Sequence, residues 1–144
     1  MEKLEFFYKA KYHYSVVQRM FENYEKFPDK RLVMGIINES ANAVFCLVRA
    51  YVFLEKKTCR NFQDDVINFR NFAKKYFDDD VCMSLLKLIE IQKESRASPI
   101  GFQKDEKIIF LIDGKYKILT VERLRTLIEN IKYAIFAFPV ERQL

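Results

Sequence analysis

The sequence predicts a mainly α-helical domain, a four- or five-helix bundle with a β-hairpin inserted before the C-terminal helix. Three observations predict it. Apolar residues recur at spacings of three and four along most of the chain. Only three Gly and three Pro interrupt the 144 residues, so long helices joined by short loops are expected. One stretch, about 106–119, abandons the helical period and alternates around Asp113-Gly114. With no internal repeat, linker or low-complexity tract, 1–144 is expected to form a single domain.

The first helix is expected from about Leu4 to Lys26, with Ala10, Tyr14, Val17, Phe21 and Tyr24 on its inner face. Phe27-Pro28-Asp29 breaks it, and Asp29 suits the N-cap of a second helix over about 30–57. That second helix is apolar around most of its circumference, which marks a central helix with several neighbours. The segment 61–77 is amphipathic: Phe62, Val66, Phe69, Ala73 and Tyr76 face inward, while Asp64, Asp65, Asn68, Asn71 and Lys75 mostly face water. Asp78-Asp79-Asp80 stops it and can cap a fourth helix, about 81–96, with Val81, Leu85, Leu88 and Ile89 buried. Ser98-Pro99-Ile100-Gly101 ends that helix, because a residue before Pro is pushed out of the α region.

Asp113-Gly114 suits a type I′ turn between strands at 108–112 and 115–119. Pairing across it sets Leu111 opposite Tyr116 and Ile109 opposite Ile118, a wholly apolar face expected to dock on the helices. The other face, with Phe110 opposite Lys117 and Ile112 opposite Lys115, is then the outer one. Thr120 can cap the last helix, about 121–138, whose inward stripe is Val121, Leu124, Ile128, Ile131, Ile135 and Phe138.

Half the residues are hydrophobic and 31% are charged, which fits a folded protein rather than a disordered one. The net charge of +5 suits an acidic partner but is spread along the chain, so it serves solubility as readily as nucleic-acid binding. Cys46, Cys59 and Cys82 form neither a CxxC pair nor a Cys/His cluster, so reduced thiols and a cytoplasmic location are expected, with Cys46 and Cys82 as small core residues. The N-terminal residues do not read as a signal peptide. The stretch 32–54 is long and apolar, but Asn38, Glu39, Ser40, Asn42 and Arg49 would be costly in a bilayer, so a core helix is expected and no membrane partner.

No phosphate loop, HExxH or paired CxxC occurs, and neither a cofactor nor a metal is expected. Asp78-Asp79-Asp80 reads as a solvated helix cap. His13, the only histidine, borders the first helix's apolar stripe and reads as a partly buried, hydrogen-bonded side chain; no motif ties a nucleophile or an orienting carboxylate to it. Two surfaces stand out. At about 100° per residue, Arg31, Asn38, Asn42 and Arg49 share a narrow stripe of the second helix. The stripe is either its solvent face or a seam for another subunit or an RNA backbone, with Glu39 beside it to neutralise an arginine. The second surface, Phe110, Ile112, Lys115 and Lys117, is either an interface or apolar area covered by lysine stems.

Two stretches carry a resemblance. They run from Ala10-Lys-Tyr-His-Tyr-Ser-Val-Val-Gln-Arg-Met through Asp29-Lys-Arg-Leu to Leu47-Val-Arg-Ala50, and from Ser98-Pro-Ile-Gly-Phe102 through Ile108-Ile-Phe-Leu-Ile to the segment Gly114–Leu124. They resemble a group of small uncharacterised archaeal helical proteins, which in turn looks like the HEPN superfamily of helical bundles. Many HEPN proteins are dimeric ribonucleases using an Arg followed four to six residues later by a His. Here positions 6 to 8, where that arginine would precede His13, are Phe6, Phe7 and Tyr8, so the catalytic pair does not carry over. The resemblance implies a helical architecture, a two-fold homodimer and RNA as a possible partner. The expected function is a non-enzymatic interaction module binding protein or nucleic acid; the alternative is a HEPN-like ribonuclease with a non-standard active site, using Arg31, Arg49 or Arg96. A small-molecule pocket among the aromatic helices has no specific support in the sequence.

Overall fold

The computed structural model describes residues 2–56, 58–98, 100–102 and 106–139. In chain order they form α1 (Glu2–Lys26), α2 (Lys30–Lys56), α3 (Phe62–Ala73), α4 (Asp79–Ala97), β1 (Ile100–Phe102), β2 (Lys107–Ile112), β3 (Lys115–Thr120) and α5 (Val121–Ala137). Lys57 and Pro99, where the second and fourth helices were expected to end or break, lie outside the described residues.

Local chemistry sets several boundaries. The Asp29 carboxylate accepts from the Arg31 amide at 2.8 Å, and Thr120 Oγ1 accepts from the Arg123 amide at 3.0 Å, each relieving an otherwise unpaired donor at a helix start. Asn61 is a cap rather than a helical residue, its side chain accepting from the Asp64 amide at 2.9 Å. α3 stops at Ala73, so Tyr76 packs inward from the following turn and not from the helix. Asp78 sits at the cap position of α4, but its side chain makes no capping bond, and the helix begins at Asp79.

The core is organised by α2. Its residues from Val33 to Val52 are buried on several sides, against α1 along its length and against α3, α4 and α5 elsewhere. Tyr51 lies at the centre, its ring meeting Phe69, Tyr76, Phe77 and Phe138. Its hydroxyl donates to the carbonyl of Ala134, which satisfies both groups in the interior and ties α2 to α5. Burial pushes this phenol far above its ordinary pKa. Fully burying a side chain of this size stabilises a fold by about 1.5–3 kcal/mol, and Tyr24, Phe69 and Phe110 are buried likewise.

The hairpin pairs as its turn requires: Ile112 opposite Lys115, Phe110 opposite Lys117 and Ile108 opposite Leu119. Asp113 and Gly114 have φ of 51° and 76°, the left-handed pair of a type I′ turn. β1 adds a third antiparallel strand, Gly101 opposite Ile109, which the sequence did not announce. The orientation of the hairpin corrects the expectation. Ile108 and Phe110 are buried, Phe110 to 1% exposure, whereas Leu111, Tyr116 and Ile118 point outward. Both faces are apolar enough to dock, and the side chain of Lys117 is accommodated inward because α4 supplies carboxylates to receive it.

Candidate functional site

α1 and α2 run antiparallel, with Met20 beside Gly35 near one end and Phe6 stacked on Phe53 near the other. Between these points His13 Nδ1 lies 2.7 Å from Glu39 Oε2, both side chains about a quarter exposed. The orienting carboxylate that no motif supplied thus comes from the neighbouring helix, 26 residues away. Tyr12 meets the imidazole edge-on. Glu39 serves the histidine rather than an arginine.

The polar stripe divides. Arg31, with a side chain 89% exposed, is held by Asp29 through Nη2 at 3.0 Å, and that contact lowers the Asp29 carboxyl below its usual range. Arg49, half-buried, lies over the ring of Phe6 at 5.7 Å. Asn38 and Asn42 are half-buried on the same side of α2. The stripe is therefore partly seam and partly surface, and its two arginines stand at opposite ends with different neighbours. Cys46 is half-buried rather than fully buried; burial raises its thiol pKa while Lys9 and Arg49 oppose that shift. Cys59 is pushed up to about 11 by burial and then by Asp65. Neither environment activates a thiolate nucleophile.

Asp65, expected in water, is buried instead. Its Oδ1 accepts from the Arg60 amide at 3.1 Å, pinning the turn into α3, and its Oδ2 has no hydrogen-bond partner among the described residues. Its spacing on α3 gave no sign of this. The position that buries it depends on the incoming turn.

The second predicted surface needs correction as well. Phe110 is core, Ile112 packs against the core, and Lys117 reaches Glu94 at 2.9 Å and Glu90 at 3.8 Å. The Glu94 contact raises the Lys117 pKa above its ordinary value. Of the four residues, read as either an interface or apolar area covered by lysine stems, only Lys115 is exposed. The open face is the opposite one, where Leu111, Ile118 and Tyr116, the last 77% exposed, stand in water. Residue alternation correctly separated the two sets, but the face expected to dock is the open one.

A third surface was missed altogether. α1 and α5 run antiparallel, Phe7 stacked on Phe138 at 4.5 Å near one end and Arg125 over Phe21 at 5.1 Å near the other. Arg125 also pairs with Glu25 at 3.3 Å. Between them the helices part, leaving an open groove of about 1120 Å³. Its floor is apolar, with Val17 and Ile128 buried; its rim carries Tyr133 and Phe136, and Phe136 is 76% exposed. The exposed aromatics were visible in the sequence; the separation of the helices was not.

Among the described residues, no three His, Cys, Asp or Glu side chains gather as metal ligands. α2 is long and apolar enough, by length and composition, to cross a membrane, and half of its most apolar window is buried in the fold. The architecture is that of a five-helix bundle with a three-stranded sheet packed before the last helix. No protein-family model, curated protein or solved structure matches the chain.

Proposed function

We propose that this protein is a non-enzymatic helical interaction module, acting as a cytoplasmic homodimer that binds a further protein or nucleic-acid partner. The observation that carries the reading is the number of large apolar side chains left in water on two surfaces: Leu111, Tyr116 and Ile118 on the sheet, Tyr133 and Phe136 on α5. Exposed apolar residues scattered singly need no explanation, but grouped aromatics beside a groove or across a sheet face are typical of contact surfaces. Sedimentation velocity over a wide concentration range tests it. A shift from monomer to dimer with rising concentration is expected; a species of monomer mass throughout would remove the homodimer.

A second reading is favoured by one specific contact. His13 held by Glu39 has the arrangement of a general base with its orienting carboxylate, which keeps alive a ribonuclease of HEPN descent with altered residues. Cleavage of RNA would also need a cation to stabilise the charge that develops on the phosphorus-bound oxygens. Incubation of structured and single-stranded RNAs with wild type and His13→Ala separates the readings. Under the leading proposal neither protein cleaves; cleavage lost in His13→Ala would replace it with the enzymatic one.

A further inference from the structure

We propose that the α1–α5 groove is the two-fold contact of the homodimer, the groove of one copy lying antiparallel on that of another. This rests on the reading of the protein as a self-associating module and goes beyond it by naming the surface and the orientation.

Lys11 and Lys132 line one part of the groove, and Glu22 and Glu129 another. All four are exposed. Glu25 is already neutralised by Arg125 of its own chain. A two-fold contact presents the same patch from both copies, so the patch must be complementary to itself. A patch with a basic and an acidic half meets that condition when the second copy is reversed.

Position then tests the idea. Under a two-fold axis Lys11 of one copy meets Glu22 of the other only if the axis passes midway between them, near Val16 and Val17. Lys132 meets Glu129 only if the axis passes near Asn130 and Ile131. The register given by Phe7 on Phe138 and Phe21 under Arg125 sets Asn130 and Ile131 opposite about Ser15. At a rise of about 1.5 Å per residue the two midpoints agree to about 2 Å, well within the reach of a lysine side chain. One axis therefore serves both pairs.

The apolar component agrees. Tyr133 and Phe136 rim the groove toward its basic half and stand in water. Aromatic side chains of this kind dominate the energetics of protein contacts when a partner desolvates them. The outer sheet face is the competing surface, but Leu111, Tyr116 and Ile118 offer no charge pairing that would select a second copy over another apolar partner.

The test uses two double variants, Lys11→Glu/Lys132→Glu and Glu22→Lys/Glu129→Lys, in the full chain, with circular dichroism to establish that each is folded. Native mass spectrometry and sedimentation velocity read the assembly. Each variant alone gives a groove of one sign, and loss of the dimer is expected where wild type is dimeric. Mixed in equal amounts, the two should form a heterodimer, since every facing pair is again opposite in sign. Restoration on mixing cannot come from misfolding. If wild type is a dimer and both variants remain dimers, the groove assignment falls while the interaction module stands. If wild type is a monomer at every concentration, the homodimer itself falls with it.

Discussion

The ammonium of Lys117 on β3 lies 2.9 Å from Glu94 Oε2 on α4, so a charged side chain sits on the sheet face that also carries the buried Phe110. Phe110→Ala should cost about 3–5 kcal/mol, as large-to-small changes in a packed core do. Tyr116→Ala on the outer face should stay within about 0.5 kcal/mol. Because the Lys117 side chain is only half-buried and its ammonium still reaches water, Glu94→Gln should cost no more than about 1 kcal/mol, and less at high salt. Urea denaturation ranks the three; a larger loss from Tyr116→Ala than from Phe110→Ala would mean that the opposite sheet face is buried.

Tyr51 joins α2 to α5 by one hydroxyl. Tyr51→Phe keeps the ring among Phe69, Phe77 and Phe138 but strands the Ala134 carbonyl, at a cost of about 1–3 kcal/mol. Tyr51→Ala should cost several kcal/mol more through the cavity. Equal stability of Tyr51→Phe and wild type in chemical denaturation would show that the bond contributes nothing net.

Stability should fall on acidification, in part through Glu55. The Tyr76 hydroxyl donates to its carboxylate at 2.6 Å and, with Lys75 at 3.2 Å, holds its pKa below the ordinary value of about 4.5. A lowered folded value means that the unfolded chain takes up the proton more readily. The stabilisation is therefore complete above the ordinary value and is lost as pH falls through the lowered one. Melting temperatures of wild type and Glu55→Gln across that acid range should converge as pH falls. A constant difference between them would place the linkage elsewhere.

Gly35 of α2 packs against the Met20 side chain of α1. A methyl group there would meet the end of the Met20 side chain at 2.7 Å, which a flexible thioether can vacate. Alanine also gains about 1 kcal/mol over glycine in a helix interior. Gly35→Ala should thus be close to neutral by thermal melting, whereas Gly35→Leu presses further into Met20 and should destabilise by about 1–3 kcal/mol. Tolerance of leucine would contradict the close packing.

The helices were legible because each writes its inner face in local spacing: Val121, Leu124, Ile128 and Ile131 are buried as their period demands. The hairpin was legible from Asp113-Gly114 and its alternation. Which face turned inward was not, because Ile109, Leu111 and Ile118 are as apolar as Ile108 and Phe110. The choice depends on packing against α4 and α5, where Glu90 and Glu94 receive Lys117. The same distinction runs through the candidate sites. Periodicity could align Arg31, Asn38, Asn42 and Arg49 on one helix, but it could not bring Glu39 to His13 or open α5 from α1. Those relationships belong to packing between helices far apart in the chain.

Small-angle X-ray scattering of a concentration series tests the central claim, that this protein acts by association with itself. A compact monomer of 144 residues has a radius of gyration of about 14.5 Å. Forward scattering is expected to rise with concentration to twice the chain mass of 17.3 kDa, with a radius of gyration well above that value. A mass of 17.3 kDa and a monomer's radius at every concentration would contradict it.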